Sequence, residues 1–183
     1  MKLIISYKLD SIENVIPEKQ IEIIKLFSYS KSDFIVRKII EACNLKHPNL
    51  EKIPAYNILK NNLNEIINNC LDSIAEKRLV NNQFDMAIIE VVIIDNGHTL
   101  IMKLKDNGIG LGENYLHKLS YPEFKHTKSQ EHFKKKEKDY CIGGCGIGLF
   151  HLNAKLAKND AKLYLKSRKE AGATIEISMK KPY

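Results

Sequence analysis

The sequence predicts an α+β domain, and three observations predict it. Apolar positions recur at helical spacing through most of the first 78 residues, two runs rich in Ile, Val and Leu flank Asp95-Asn96-Gly97, and two alternating segments follow a last helical stretch. Between the hairpin and that last helix lie two glycine turns. At 183 residues the chain suits one domain. A chain of that size buries about two thirds of its unfolded surface, so it needs no disulfide to fold.

Lys2 to Tyr7 alternates weakly and is expected to form a strand. Pro17 opens a helix through Phe27, and Ser32 or Asp33 caps another running to Ala42. Residues 44–54, with His47-Pro48 and Pro54, read as a connection. One long helix is expected from about Tyr56 to Arg78. Met86 to Ile94 and Thr99 to Leu104 make a hairpin on an Asn-Gly turn. From Asn107 to Gly143 no period persists beyond a short helix around Glu113 to Leu119, and an irregular stretch of that length suggests a lid. A helix then runs to Asn159, and Ala161 to Ser167 and Ala173 to Met179 alternate as closing strands.

Composition excludes several classes. No apolar run approaches the ~20 residues that span a bilayer, the start is too short for a signal peptide, and a cytoplasmic protein is expected. Cys43 and Cys70 fall in helical patterns and read as core thiols. Cys141 and Cys145 lack paired C-x-x-C spacing, and a metal or redox site with His126 or His132 ranks below an ordinary turn. The net charge of +7 permits nucleic acid, acidic lipid or an acidic protein face without choosing among them. Lys134, Lys135, Lys136 and Lys138 form a run that aromatic residues flank but do not interleave, so nucleic acid ranks low.

Three segments carry the chemistry. Lys105 to Gly112 (KDNGIGLG) joins one acid to three glycines after a strand, a turn that can hold a nucleotide. The Asp106 carboxylate can accept a hydrogen bond from an exocyclic amine such as that of adenine, and Gly108 and Gly110 let the backbone bend and approach closely. Upstream, Glu65, Asn69 and Asp72 fall within roughly 60° on one helix face. That stripe reads either as a solvated face or as oxygen ligands for Mg²⁺. Downstream, Gly143, Gly144, Gly146 and Gly148 precede a helix, where converging N–H groups suit a phosphate. No Gly-Lys-Ser/Thr follows, so this is not a P-loop.

In that order, with a lid between the second and third, EIINNCLDS, KDNGIGLG and GGCGIGL resemble the N, G1 and G2 boxes of the Bergerat-fold (GHKL) ATPases. The resemblance covers about two thirds of the chain. It implies a two-layer α+β sandwich, a mixed sheet covered on one face by helices, with a long ATP lid. ATP and Mg²⁺ are the implied cofactors. Asn69 becomes the Mg²⁺ ligand, Glu65 the acid that positions or activates water or the acceptor, and Asp106 the adenine reader supported by Gly108 and Gly110. Asp72 belongs to the same box. Gly144, Gly146, Gly148 and Leu149 match the phosphate box, and Thr174 of Gly172-Ala173-Thr174 joins Asp106 around adenine. Residues 1–54 are then a helical extension packed on the same domain, and residues 55–183 the ATP-binding domain.

Within the superfamily, Pro122, Phe124, Thr127 and Lys128 resemble the lid of sensor histidine kinases, with Lys128 reaching a phosphate. The chain departs from those kinases in lacking a helical hairpin with a phosphoacceptor histidine. The resemblance therefore implies transfer of the γ-phosphoryl group to a partner protein or to water, as in stand-alone anti-sigma serine kinases. A nucleotide-gated interaction switch with little turnover is the alternative. The sequence leaves open whether residues 1–54 dock a partner, mediate a homodimer or cover the sheet.

Overall fold

A computed structural model describes residues 1–8, 17–81, 83–110 and 148–182, with residues 7 and 17–30 described by backbone alone. Its strands are β1 (Lys2–Lys8), β2 (Met86–Asp95), β3 (Thr99–Asp106), β4 (Ala161–Arg168) and β5 (Gly172–Lys180). Its helices are α1 (Pro17–Lys46), α2 (Pro54–Asn61), α3 (Leu63–Val80) and α4 (Gly148–Ala157), with a 3₁₀ turn at Leu50–Lys52. The expected lid, the short helix at residues 113–119, the lysine run and the cysteines at 141 and 145 lie outside the described residues.

The strands form one sheet in the order β1-β2-β3-β5-β4. Side chains alternate across it, as the period of two requires. Ala87, Ile89, Val91 and Ile93 of β2, Leu100, Met102 and Leu104 of β3, and Ile175, Ile177 and Met179 of β5 all turn to one face and are buried. The helices cover that face: Ile66, Ile67, Leu71 and Ile74 of α3, Ile35 and Ile39 of α1, and Leu152 and Leu156 of α4 complete a single core with the strands. Burying each such side chain fully is worth about 1.5–3 kcal/mol. The result is a two-layer α+β sandwich whose sheet is covered on one face.

All neighbouring strands pair antiparallel, so the sheet is not mixed as expected. The cause lies in the last strand. β3 and β4 run in the same direction and are linked through α4, which would make a parallel pair if they touched. β5 returns between them, antiparallel to both.

Three local expectations also change. The long helix is broken at Asn62, whose backbone (φ −115°, ψ 9°) leaves the helical range. Its amide Nδ2 donates to the Ile58 carbonyl at 2.7 Å, and its N–H donates to Leu59 and Lys60. An asparagine side chain that binds a nearby carbonyl competes with the helix ladder. Conversely, residues 17–46 form one helix, and Ser32 is no cap: it is buried within α1. The hairpin turn is displaced by one residue, since the Asn96 N–H donates to Thr99 O and Gly97, at φ +81°, and His98 occupy its centre. Glycine in the first central place is what a two-residue turn of that kind demands.

Candidate functional site

Asp106 ends β3, on the strand face that meets α3. It is only 3% exposed, a rare position for a carboxylate, and four donors satisfy it. The Gly108 N–H donates to Oδ1 at 2.8 Å and the Ser73 hydroxyl at 3.4 Å, while the Ala173 N–H and the Cys70 thiol also bond the carboxylate. Burial dominates over these bonds and pushes the Asp106 carboxyl up from 3.8 to about 6. Burial beside that carboxylate also pushes the Cys70 thiol well above its ordinary range.

The turn after Asp106 is clamped from two sides. On the helix side, the Ile109 N–H donates to Ser73 O at 2.9 Å and the Gly110 N–H to Ser73 Oγ at 3.2 Å. On the strand side, Glu170 in the β4–β5 turn donates its N–H to Ile109 O. Lys77 bridges both sides, with Nζ donating to Asn107 O and Glu170 O at 2.9 Å each and lying 4.7 Å from the Phe84 ring centroid. Asn107 fixes the turn to β2: its Nδ2 donates to Met86 O at 2.8 Å, and its Oδ1 accepts from the Ile88 N–H at 2.9 Å.

This packing explains the two glycines. A methyl group on Gly108 would strike Ser73 Oγ and the α3 backbone, and one on Gly110, which has φ +71°, would strike the Arg168 and Gly172 carbonyls. Their close approach is to the chain's own backbone. The structure gives these glycines the task of seating the turn that carries Asp106.

On α3, Glu65 is exposed and Asn69 and Asp72 are half-buried along one stripe. Glu65 reaches the start of α4, where a methyl on Gly148 would land on its carboxylate, so glycine there admits the acid. Leu149 packs against the core beside it. The stripe and the N-terminus of α4 thus face one another. Lys128, Gly144 and Gly146 lie outside the described residues.

Thr174 is not brought to Asp106. It pairs with Lys105 and Lys166 in the sheet register, which puts its side chain on the face opposite the helices, while Ala173 stands across from Asp106. A one-residue slip along a strand exchanges faces. Sequence reasoning also missed Ser73, Cys70 and Lys77. Ser73 sits one turn beyond Asn69, so helical spacing alone placed it near the site; nothing in the sequence paired Lys77 with the two carbonyls it joins.

The residues present fit an adenine nucleotide with its metal. A buried carboxylate at a strand end offers an acceptor to an amine, and among the described residues neither Glu65 nor Asn69 spends its side-chain oxygens on a hydrogen bond. Hard oxygen donors of that kind suit Mg²⁺.

No family model matches the chain, and no curated protein does. Similar solved structures include the histidine kinase domain from the Erythrobacter litoralis EL346 blue-light activated histidine kinase, at 13% identity over 69% of this chain and 44% of that one, with TM-score 0.43. Another is the mycobacterial sensor histidine kinase MprB, at 13% identity over 70% of this chain and 74% of that one, with TM-score 0.45. This chain spans less than half the length of the first. What the chain itself shows is a two-layer α+β sandwich with a five-stranded antiparallel sheet.

Proposed function

We propose that this chain binds Mg-ATP between α3, the turn after Asp106 and the start of α4, and transfers the γ-phosphoryl group to a partner protein or to water. One observation carries the proposal: Asp106 is a buried carboxylate, raised to about 6 by burial, at the end of a core strand. A fold gains no stability from such a group, and perturbed carboxyls of this kind gather at functional sites. The carboxylate could exchange one of its present donors, such as the Ser73 hydroxyl at 3.4 Å, for the adenine amine.

Asn69 would hold Mg²⁺ together with the phosphates, and the ion would supply charge neutralisation of the triphosphate. Glu65, exposed beside Gly148, would orient the attacking hydroxyl or water and accept its proton. The N–H groups at the start of α4 would receive phosphate oxygens at the positive end of the helix. Catalysis of this type is mainly positioning and charge stabilisation.

Titration calorimetry with ATP and Mg²⁺ tests the binding, and γ-labelled ATP with and without candidate acceptors tests the transfer. Saturable heat that Asp106→Asn abolishes is expected, with turnover lost but binding kept in Glu65→Gln. A folded protein that gives no heat and no thermal shift with ATP and metal would end the proposal.

A further inference from the structure

The sheet has a second face, which no described helix covers, and its composition differs sharply from the rest of the surface. Its acids are Glu90 and Glu176, each held by a lysine: Lys2 lies 2.8 Å from Glu90 and Lys103 lies 2.9 Å from Glu176. Beyond those pairs the face presents exposed Lys8, Lys105, Lys162, Lys166 and Arg168, with no further acid among the described residues of this face. Among the described residues the positive charge is therefore concentrated here, most of it on the β3-β5-β4 half.

The other half carries exposed aliphatic side chains around the Lys2–Glu90 pair. Ile4 is 55% exposed on β1, and Met86, Ile88 and Ile94 are exposed beside it on β2, with Val92 and Ile101 partly open between them. Tyr164, 47% exposed, stands among the lysines of β4. An exposed cluster of apolar side chains marks a contact surface more often than chance placement. Joined to a basic field, it specifies the partner's chemistry.

We propose that this open face docks peripherally on an anionic lipid surface. Lysines near such a surface are attracted by its negative potential, and each contributes a factor of roughly five in affinity. The aliphatic cluster would enter the boundary between headgroups and acyl chains, as apolar faces of interfacial segments do. A nucleic-acid duplex would satisfy the lysines but not the isoleucines, because such interfaces are more polar and are dominated by phosphate contacts. Docking in this orientation leaves Asp106 and α3 free, since they lie on the opposite side of the sheet.

Co-sedimentation of the whole chain with phosphatidylcholine vesicles, with and without phosphatidylglycerol, tests the proposal. Binding is expected only to the anionic vesicles and is expected to weaken with salt. Lys162→Glu with Lys166→Glu should reduce it by roughly 30-fold or more. Ile88→Ser with Ile94→Ser should reduce it several-fold while leaving the salt dependence in place, circular dichroism verifying the fold of both variants. Failure of the wild-type chain to sediment at low salt, or equal binding to neutral vesicles, overturns the proposal. So does retardation of duplex DNA by a chain that ignores the vesicles, which assigns the face to nucleic acid instead.

Discussion

Asp106 combines a cost to the fold with a proposed use in the site. Its folded-state value of about 6 exceeds the ordinary 3.8, so the folded chain binds the proton more tightly than the unfolded one does. The sign follows: this group's contribution to stability is fully present below about pH 4, is lost as pH rises towards 6, and is then level, a loss on the order of 3 kcal/mol. Asp106→Asn removes the titrating group and should flatten the pH dependence of the melting temperature between 4 and 6. Scanning calorimetry over that range decides it; a melting temperature that still falls with pH in the variant would show that another group is responsible. ATP affinity should run the other way in the wild type. Protonation takes away the acceptor, so affinity should drop as pH falls through about 6, and calorimetry at pH 5 and 8 is the check. At Gly108 the prediction is steric. Gly108→Ala drives a methyl into Ser73 and should cost about 1–3 kcal/mol in urea denaturation, whereas a neutral outcome would mean that the turn can shift away from α3.

Among the elements, α3 connects the core to the site, with Ile66, Ile67 and Ile74 on the sheet and Ser73 and Lys77 on the turn. Lys77→Met keeps the aliphatic stem over Phe84 but leaves the Asn107 and Glu170 carbonyls without their cation. It should lower stability by about 1–3 kcal/mol and reduce ATP affinity, because Asp106 would no longer be held in place; unchanged affinity in calorimetry would make Lys77 structural only. The elements themselves were largely legible. β2 and β3 announce themselves by Ile/Val alternation about a glycine turn, and α4 by its helical spacing up to Asn159. The break at Asn62 was not legible as a break, since Asn61-Asn62 sits inside an otherwise continuous apolar period and only the side chain's bond to Ile58 reveals it. Thr174 departs for a related reason: the resemblance implies a hydroxyl near the site, but only the register decides which face it takes.

For the molecule as a whole, local patterning foretold an α+β chain and the order of its motifs, while the pairing of distant segments lay beyond it. Nothing in residues 2–8 names β2 as their neighbour, and nothing in residues 172–180 places them between β3 and β4. Those choices are made by long-range burial. They have a kinetic side as well. The strand that joins the two halves of the sheet is encoded after all the others, so on a ribosome β3 must wait with an unpaired backbone edge while the intervening stretch and α4 are made. Until β5 emerges, the carboxylate of Asp106 lacks the amide of Ala173, and β4 has no neighbour among the described strands. The nascent chain would therefore complete its sheet in one late step, and it would be most open to holdase chaperones and to intermolecular strand pairing just before that step.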